Sequence, residues 1–257
     1  MLPVTPRKSL GQHFLADPNT ARKIVGVLRA GADDPVVEIG PGLGALSGYL
    51  VERFTDFTAI EVDQRAADHL EERLPGIDVR RMDVLDMDWA RLAAAKERRL
   101  FVIGNLPYNI SSPILFTLFE AREYIVEAVL MLQREVAERL VAEPRTKAYG
   151  ILSVAAQLSS EPEMLFSVSP NVFRPRPAVT SAVVRFAFGP LEGKGRYDGP
   201  VREVVRMAFN QRRKTLRNSL KKLTVRLGAA VPEPWASKRA EEVSPAEFVE
   251  LADYLTR

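Results

Sequence analysis

Short apolar runs alternate with stretches of helical period through the first three quarters of the chain. Val36-Val37-Glu38-Ile39, Phe57-Thr58-Ala59-Ile60, Ile77-Asp78-Val79-Arg80-Arg81, Leu100-Phe101-Val102-Ile103, Ala128-Val129-Leu130-Met131-Leu132, Met164-Leu165-Phe166-Ser167-Val168 and a run over 181–188 read as strands. Leu100-Phe101-Val102-Ile103 is apolar at every position, the pattern of a strand covered on both faces. Helical stretches separate them. Asp17-Pro18 opens one that runs to about Leu28, with Asp at the cap and Pro in the first turn. Others begin near Ala45 and cover 112–119, 133–141 and 149–158. Strand and helix in alternation predict a doubly wound α/β sheet over residues 1–188.

Residues 189–200 are rich in Gly and Pro and read as a linker. Residues 201–257 read as a small helical domain. Over 201–223 the period predicts one helix with Phe209, Leu216, Leu220 and Leu223 on an apolar stripe and Arg206, Arg213, Arg217 and Lys221 beside it. Ser244-Pro245 opens the last helix. Charge sharpens this division. Residues 201–223 hold eight Lys and Arg against the single acid Glu203, more positive charge than the +3 of the whole chain, so the remainder is net acidic. This concentration predicts RNA phosphate contact through Arg206, Arg212, Arg213, Lys214, Arg217, Lys221 and Lys222, with Arg145 and Lys147 in a second basic loop.

The chain has no Cys and two His, which excludes disulfides and thiolate metal sites and argues against any metal centre. The N-terminus lacks the apolar core of a signal peptide. The charge-free run 100–119 is interrupted by Asn105, Pro107, Asn109 and Pro113, against a membrane span. A cytoplasmic location is expected.

Candidate chemistry gathers at strand ends, where open α/β sheets place their ligands. Asn105-Leu106-Pro107-Tyr108 follows the fourth strand. Asn105 carries a side-chain acceptor, and Pro107 holds Leu106 extended so that its carbonyl can be a second. Two convergent acceptors suit an exocyclic NH₂, and Tyr108 offers a face on which a base can stack. Gly40-Pro41-Gly42-Leu43-Gly44 turns the first strand into a helix, and Glu61 ends the second strand about 20 residues on, where a carboxylate can take ribose hydroxyls. This pair fits any nucleoside cofactor, and Gly40-x-Gly42-x-x-Ala45 also satisfies the dinucleotide pattern. Asp83 ends the third strand as an acceptor for a cofactor's adenine amine. Phe173, in a Pro-stiffened loop with Arg174 and Arg176, reads either as a second wall for a base or as a core plug.

No thiol, His pair or Walker Lys is available for covalent or phosphoryl chemistry. Methyl transfer from S-adenosylmethionine to a base nitrogen needs none of them, only alignment and exclusion of water.

Seven segments, in order, resemble the KsgA (RsmA) family of 16S ribosomal RNA adenine N6,N6-dimethyltransferases. They are Gly11-Gln12-x-Phe14-Leu15, Glu38-Ile39-Gly40-Pro41-Gly42, Asn105-Leu106-Pro107-Tyr108-Asn109, Met131-Leu132-Gln133-x-Glu135-Val136, Lys147-Ala148-Tyr149-Gly150, Phe173-x-Pro175-x-Pro177 and Phe209-Asn210-Gln211-Arg212-Arg213-Lys214. The resemblance implies a Rossmann-like S-adenosylmethionine-dependent methyltransferase fold, with a seven-stranded, mostly parallel sheet and a small all-helical C-terminal domain. It implies dimethylation of two adjacent adenosines near the 3′ end of 16S rRNA within the 30S subunit, by a monomer, late in assembly. It puts cofactor contacts at His13, Leu15, Gly40, Gly42, Glu61, Asp83 and Asn105, with residues 1–15 a flexible contributor. Asn105 and Leu106 then hold the target amine, with Pro107 in the same catalytic loop and Tyr108 and Phe173 flanking the base. His13 departs from the family pattern, which usually has Asn there. Two alternatives stay open: a 23S rRNA methyltransferase of the macrolide-resistance type, and an assembly factor whose methylation is secondary.

Overall fold

The computed structural model describes residues 3–7, 10–189 and 197–257. Of the expected linker, 190–196 lie outside the described residues. The chain divides into two compact units, residues 1–137 with 163–188 and residues 138–162 with 189–257.

The first unit holds strands β1 (Phe14–Leu15), β2 (Val36–Ile39), β3 (Phe57–Glu61), β4 (Asp78–Arg81), β5 (Leu100–Asn105), β6 (Ile125–Gln133), β7 (Glu161–Val168), β8 (Phe173–Arg174) and β9 (Ser181–Ala187). Helices α1 (Pro18–Gly26), α2 (Ser47–Arg53), α3 (Gln64–Arg73), α4 (Trp89–Ala95), α5 (Ser111–Glu120) and α6 (Arg134–Leu140) connect them, α6 running across the boundary between the units. Seven strands form one sheet in the order β4-β3-β2-β5-β6-β9-β7. The pairs from β4 to β6 are parallel, and β9 runs antiparallel to β6. Strand order reverses between β2 and β5, so the loops leaving their carboxyl ends part there and open a crevice.

All seven expected sheet strands are present, within a few residues at their ends. Asp17 accepts from the backbone N–H of Thr20 and caps α1, with Pro18 in the first turn as anticipated. The charge-free run 100–119 supplies β5, the loop after it and most of α5. No helix among the described residues is long and apolar enough to cross a membrane. A two-stranded ribbon was not foreseen: β1 pairs with β8, Phe14 opposite Arg174 and Leu15 opposite Phe173. Two-residue strands carry no period to detect.

The second unit contains α7 (Ile151–Ser159), α8 (Gly199–Asn210), α9 (Leu216–Ser219), α10 (Lys221–Leu227) and α11 (Pro245–Leu255). Its core joins Tyr149, Val154 and Leu158 to Val201, Val205, Leu216, Leu220, Phe248 and Leu251. Residues 138–162 therefore belong here, although the alternation of elements placed them in a domain over 1–188. The amphipathic face of α7 finds its apolar partners on α8 and α11. The single helix expected over 201–223 is three helices. Gln211 leaves helical geometry (φ −127°, ψ 54°), Thr215 bridges to Arg239, and the Leu216 N–H donates to the Lys238 carbonyl at 2.7 Å. Those long-range backbone bonds override the local helical period.

Candidate active site

At the carboxyl edge of the sheet, a cavity of about 240 Å³ lies between the loops leaving β2, β3 and β5, the Asp83 turn and residues 10–15. All seven expected cofactor residues line it, as do Leu106, Pro107 and Tyr108.

Asn105 ends β5, with its register partner Met131 on β6. Its Nδ2 donates to the His13 carbonyl at 3.0 Å, which fixes the amide and leaves Oδ1 as the acceptor. The Leu106 N–H donates to the Met131 carbonyl at 2.9 Å and its side chain is buried, so the turn is anchored on both sides. Tyr108 is half-buried. Its hydroxyl lies 2.5 Å from Ser181 Oγ, and its ring stacks on His13 with centroids 5.4 Å apart and planes 28° apart. Burial pushes the Tyr108 phenol up, so it stays neutral near physiological pH.

Glu61 tips β3 and is buried. Its Oε2 accepts from the Gly42 N–H at 3.1 Å and its Oε1 from the Asp63 N–H at 2.9 Å. Desolvation raises its pKa, and the two N–H groups oppose that rise. Asp83 accepts from the Leu85 N–H through Oδ1 at 2.9 Å, which locks its orientation at the cavity wall. Gly42 has φ +55°, and a Cβ there would lie 2.9 Å from the Phe14 ring; the turn needs glycine both for its backbone and for the approach of residues 10–15. Gly40, at φ +65°, leaves open the space in which a Cβ would face the Asn105 carbonyl at 3.9 Å.

These features fit S-adenosylmethionine. Two oriented carboxylate side chains, Glu61 and Asp83, suit ribose hydroxyls and an adenine amine. The open space at Gly40 suits a ligand passing between the β2 and β5 loops, and an acid-lined cavity suits a cationic cofactor.

Residues 10–15 are tied down by side chains. Gln12 Nε2 donates to Asp63 Oδ2 at 3.1 Å, and His13 Nδ1 lies 2.9 Å from the Pro175 carbonyl. Gln12 and Asp63 were not singled out as site residues, nor was Glu38. Glu38 is buried at the cavity wall and accepts from Ser47 Oγ at 2.5 Å; its pKa is raised to about 8 by burial. An acid in an otherwise apolar strand was the available signal. Ser181 gave no signal, because its partner is 73 residues away.

Phe173 is a correction. It is fully buried in the apolar core, paired through β8 with β1, and does not line the cavity at the sheet edge. The plug reading is the one realised, since the β1–β8 ribbon turns the ring inward.

In the second unit Arg206, Arg213, Lys214, Lys221, Lys222, Arg145 and Lys147 are exposed and make no side-chain ion pair among the described residues. They lie on α8, the 211–215 turn, α10 and the 143–147 loop, so they do not form the stripe of a single helix. Arg212 is committed internally, donating to Glu241 at 2.7 Å and to the Thr146 carbonyl at 3.1 Å. Arg217 pairs with Glu233 at 2.8 Å on the surface.

Sheet order, crevice and cavity together define a Rossmann-like methyltransferase. The chain belongs to the ribosomal RNA adenine dimethylase family, whose model matches residues 4–257. It is 53% identical to a ribosomal RNA small subunit methyltransferase A of Salinibacter ruber, over 99% of this chain and 86% of that one. A protein of the same description from Parabacteroides distasonis is 43% identical, over 96% and 93%. Among solved structures, a dimethyladenosine transferase from Plasmodium falciparum superposes with TM-score 0.75 at 23% identity, covering 93% of this chain and 96% of its own. The 23S rRNA methyltransferase ErmE superposes with TM-score 0.66 at 26% identity, over 95% and 100%.

Proposed function

We propose that the Asn105–Tyr108 loop is where this chain holds the N6 amine of a target adenosine, and that the cavity behind it holds S-adenosylmethionine on His13, Leu15, Gly40, Gly42, Glu61 and Asp83. The activity itself follows from the family. The chain is an S-adenosylmethionine-dependent ribosomal RNA adenine N6,N6-dimethyltransferase of the small subunit. The observation that carries the residue assignment is the Asn105 amide, whose donor is used by His13 and whose acceptor remains for a substrate N–H.

Bound S-adenosylmethionine supplies a methyl group already activated on a sulfonium. What the protein must do is aim the amine and keep water out. Adenine's amino lone pair is delocalised into its ring. Asn105 Oδ1 and the Leu106 carbonyl, accepting its two N–H bonds, localise that pair and direct it toward the cavity. The amine held on Asn105 Oδ1 and the Leu106 carbonyl would accept the methyl group that the bound cofactor gives up as it becomes a neutral thioether, and would pass its proton to water, so no strong base is required. Tyr108 stacks on the extruded base.

The substrate in this reading is a pair of adjacent adenosines near the 3′ end of 16S rRNA in the assembling 30S subunit, met by a monomer. The exposed cations of the second unit contact its phosphates. The 23S alternative is not favoured: the relatives at 43–53% identity are small-subunit enzymes, whereas the likeness to ErmE stands at 26%. The test is methyl incorporation from labelled cofactor into unmethylated 30S subunits and, in parallel, protein-free 23S RNA. Dimethyladenosine from the 30S reaction alone is expected; label in 23S RNA overturns the substrate assignment.

A further inference from the structure

We propose that Ser181 and His13 are positioning residues that clamp the Tyr108 ring, the first at its hydroxyl and the second on one face, so that the target base stacks on the opposite face. This rests on the reading that Tyr108 stacks that base.

The clamp is built from three parts of the first unit. Tyr108 follows β5. Ser181 opens β9, and because β9 runs antiparallel to β6, its first residue arrives at the same edge of the sheet as the carboxyl ends of β5 and β6, opposite Gln133. Ser181 is completely buried, and the Tyr108 hydroxyl at 2.5 Å is its hydrogen-bond partner. A buried hydroxyl stripped of its partner is costly, so the ring edge is held firmly. His13 arrives from the N-terminal side. Its ring lies nearly parallel to Tyr108, and its Nδ1 is tied to the Pro175 carbonyl at 2.9 Å, so the imidazole is fixed before any base enters. The His13 carbonyl also receives the Asn105 amide. One residue thus sets both the acceptor for the amine and the plane of the stacking ring. An Asn at position 13 offers the same carbonyl but no aromatic face. The stacked imidazole completes a His13–Tyr108–base stack of the kind aromatic faces favour.

The test is steady-state kinetics on unmethylated 30S subunits with calorimetric cofactor binding, for Ser181→Ala, Tyr108→Phe, their double variant, Ser181→Thr, His13→Ala, His13→Phe and Tyr108→Ala. Each of the first two is expected to lower kcat about tenfold with cofactor affinity little changed; Tyr108→Phe, which leaves the buried Ser181 hydroxyl without its partner, should also lower the thermal midpoint by a few degrees. The double variant should fall within twofold of either single one, because one hydrogen bond is removed in all three. Ser181→Thr, which keeps the hydroxyl, should restore most of the rate. His13→Ala should lower kcat severalfold, and His13→Phe, which keeps an aromatic face, should lose less of it than His13→Ala. Wild-type rates in Ser181→Ala and Tyr108→Phe, beside a defective Tyr108→Ala, overturn the clamp and leave the stacking reading standing. So do multiplicative losses in the double variant. A His13→Ala enzyme with unchanged kcat overturns the role of the imidazole. An unchanged Tyr108→Ala overturns the stacking reading and the clamp with it.

Discussion

Asn105 Nδ2 and the main-chain oxygen of His13 are joined by a 3.0 Å hydrogen bond, so the amide proposed to hold the target amine is oriented by residues 10–15, which line the same cavity. Asn105→Asp replaces that donor with an oxygen set against a carbonyl oxygen. Methyl transfer should fall by about 10²-fold or more, and the cofactor dissociation constant should also rise, since repulsion lifts residues 10–15 from the cavity. Asn105→Ala should lose the rate with a smaller effect on cofactor binding. Calorimetry of cofactor binding beside single-turnover rates separates the two; equal cofactor affinities in both variants would show that the bond does not couple the sites.

Glu61 is held by two backbone N–H groups at the tip of β3. Glu61→Ala leaves both without their acceptor and, in the proposed cofactor site, removes the group that would hold the ribose. The cofactor dissociation constant should rise between about tenfold and 100-fold, the range for a charge-assisted hydrogen bond. Turnover at saturating cofactor should change little. Titration of the cofactor in steady-state assays reads both quantities, and a turnover defect at saturation would reassign Glu61 to the chemistry.

How far these assignments could be read from sequence depends on how local each signal is. The strand ends that carry Asn105, Glu61 and Asp83 are announced by apolar runs, and the glycine turn after β2 by its spacing, because backbone and neighbours fix them. Phe173 could not be settled, since its inward turn depends on pairing with Leu15, 158 positions earlier in the chain. Arg212 looked like one more surface cation until Glu241 and the Thr146 carbonyl came beside it. The break in the 201–223 helix has the same origin: backbone partners at 236–239 compete with the helical ladder. Ser181 and the His13–Tyr108 stack belong to this class of long-range contacts, which leave no trace in periodicity.

Glu38 makes stability depend on pH. Its carboxyl is raised from 4.5 to about 8, chiefly by burial. Between those values the unfolded chain gives up the proton and the native chain keeps it, so native stability falls as pH rises through this window and levels off above about 8. Glu38→Gln removes the titration while keeping a partner for Ser47. The thermal midpoint of the variant relative to the parent should therefore climb by several degrees between pH 5.5 and pH 8.5. A constant difference across that range would show that Glu38 ionises freely in the fold.

Phe173 stands in the apolar core with Leu15, Ile24 and Met131. Phe173→Ala should destabilise the first unit by about 3–5 kcal/mol, the cost of deleting a buried aromatic. Phe173→Leu should cost less and retain most of the turnover per folded molecule. A base-stacking role gives the opposite pattern, with Phe173→Leu stable but slow. Chemical denaturation and active-site titration on the same preparations separate these results.

Arg213 and Lys214 sit on the exposed turn between α8 and α9 without an acidic partner among the described residues, while the adjacent Arg212 is locked to Glu241 and the Thr146 carbonyl. The three neighbours should therefore respond differently to neutralisation. A phosphate contact contributes roughly 0.7–0.9 to the slope of log affinity against log salt, so Arg213→Gln with Lys214→Gln should flatten that slope by between about 1 and 2 and weaken binding to 30S subunits most at low salt. Arg212→Gln should instead lower the thermal midpoint and leave the slope nearly unchanged, since its charge is spent inside the second unit. Arg217, whose exposed pairing with Glu233 is worth about 1 kcal/mol at most, is free to exchange that partner for a phosphate and should behave as Arg213 does. Equal slopes in the parent and the Arg213/Lys214 double variant would move the RNA contact away from this turn, to the cations of α10 or the 143–147 loop.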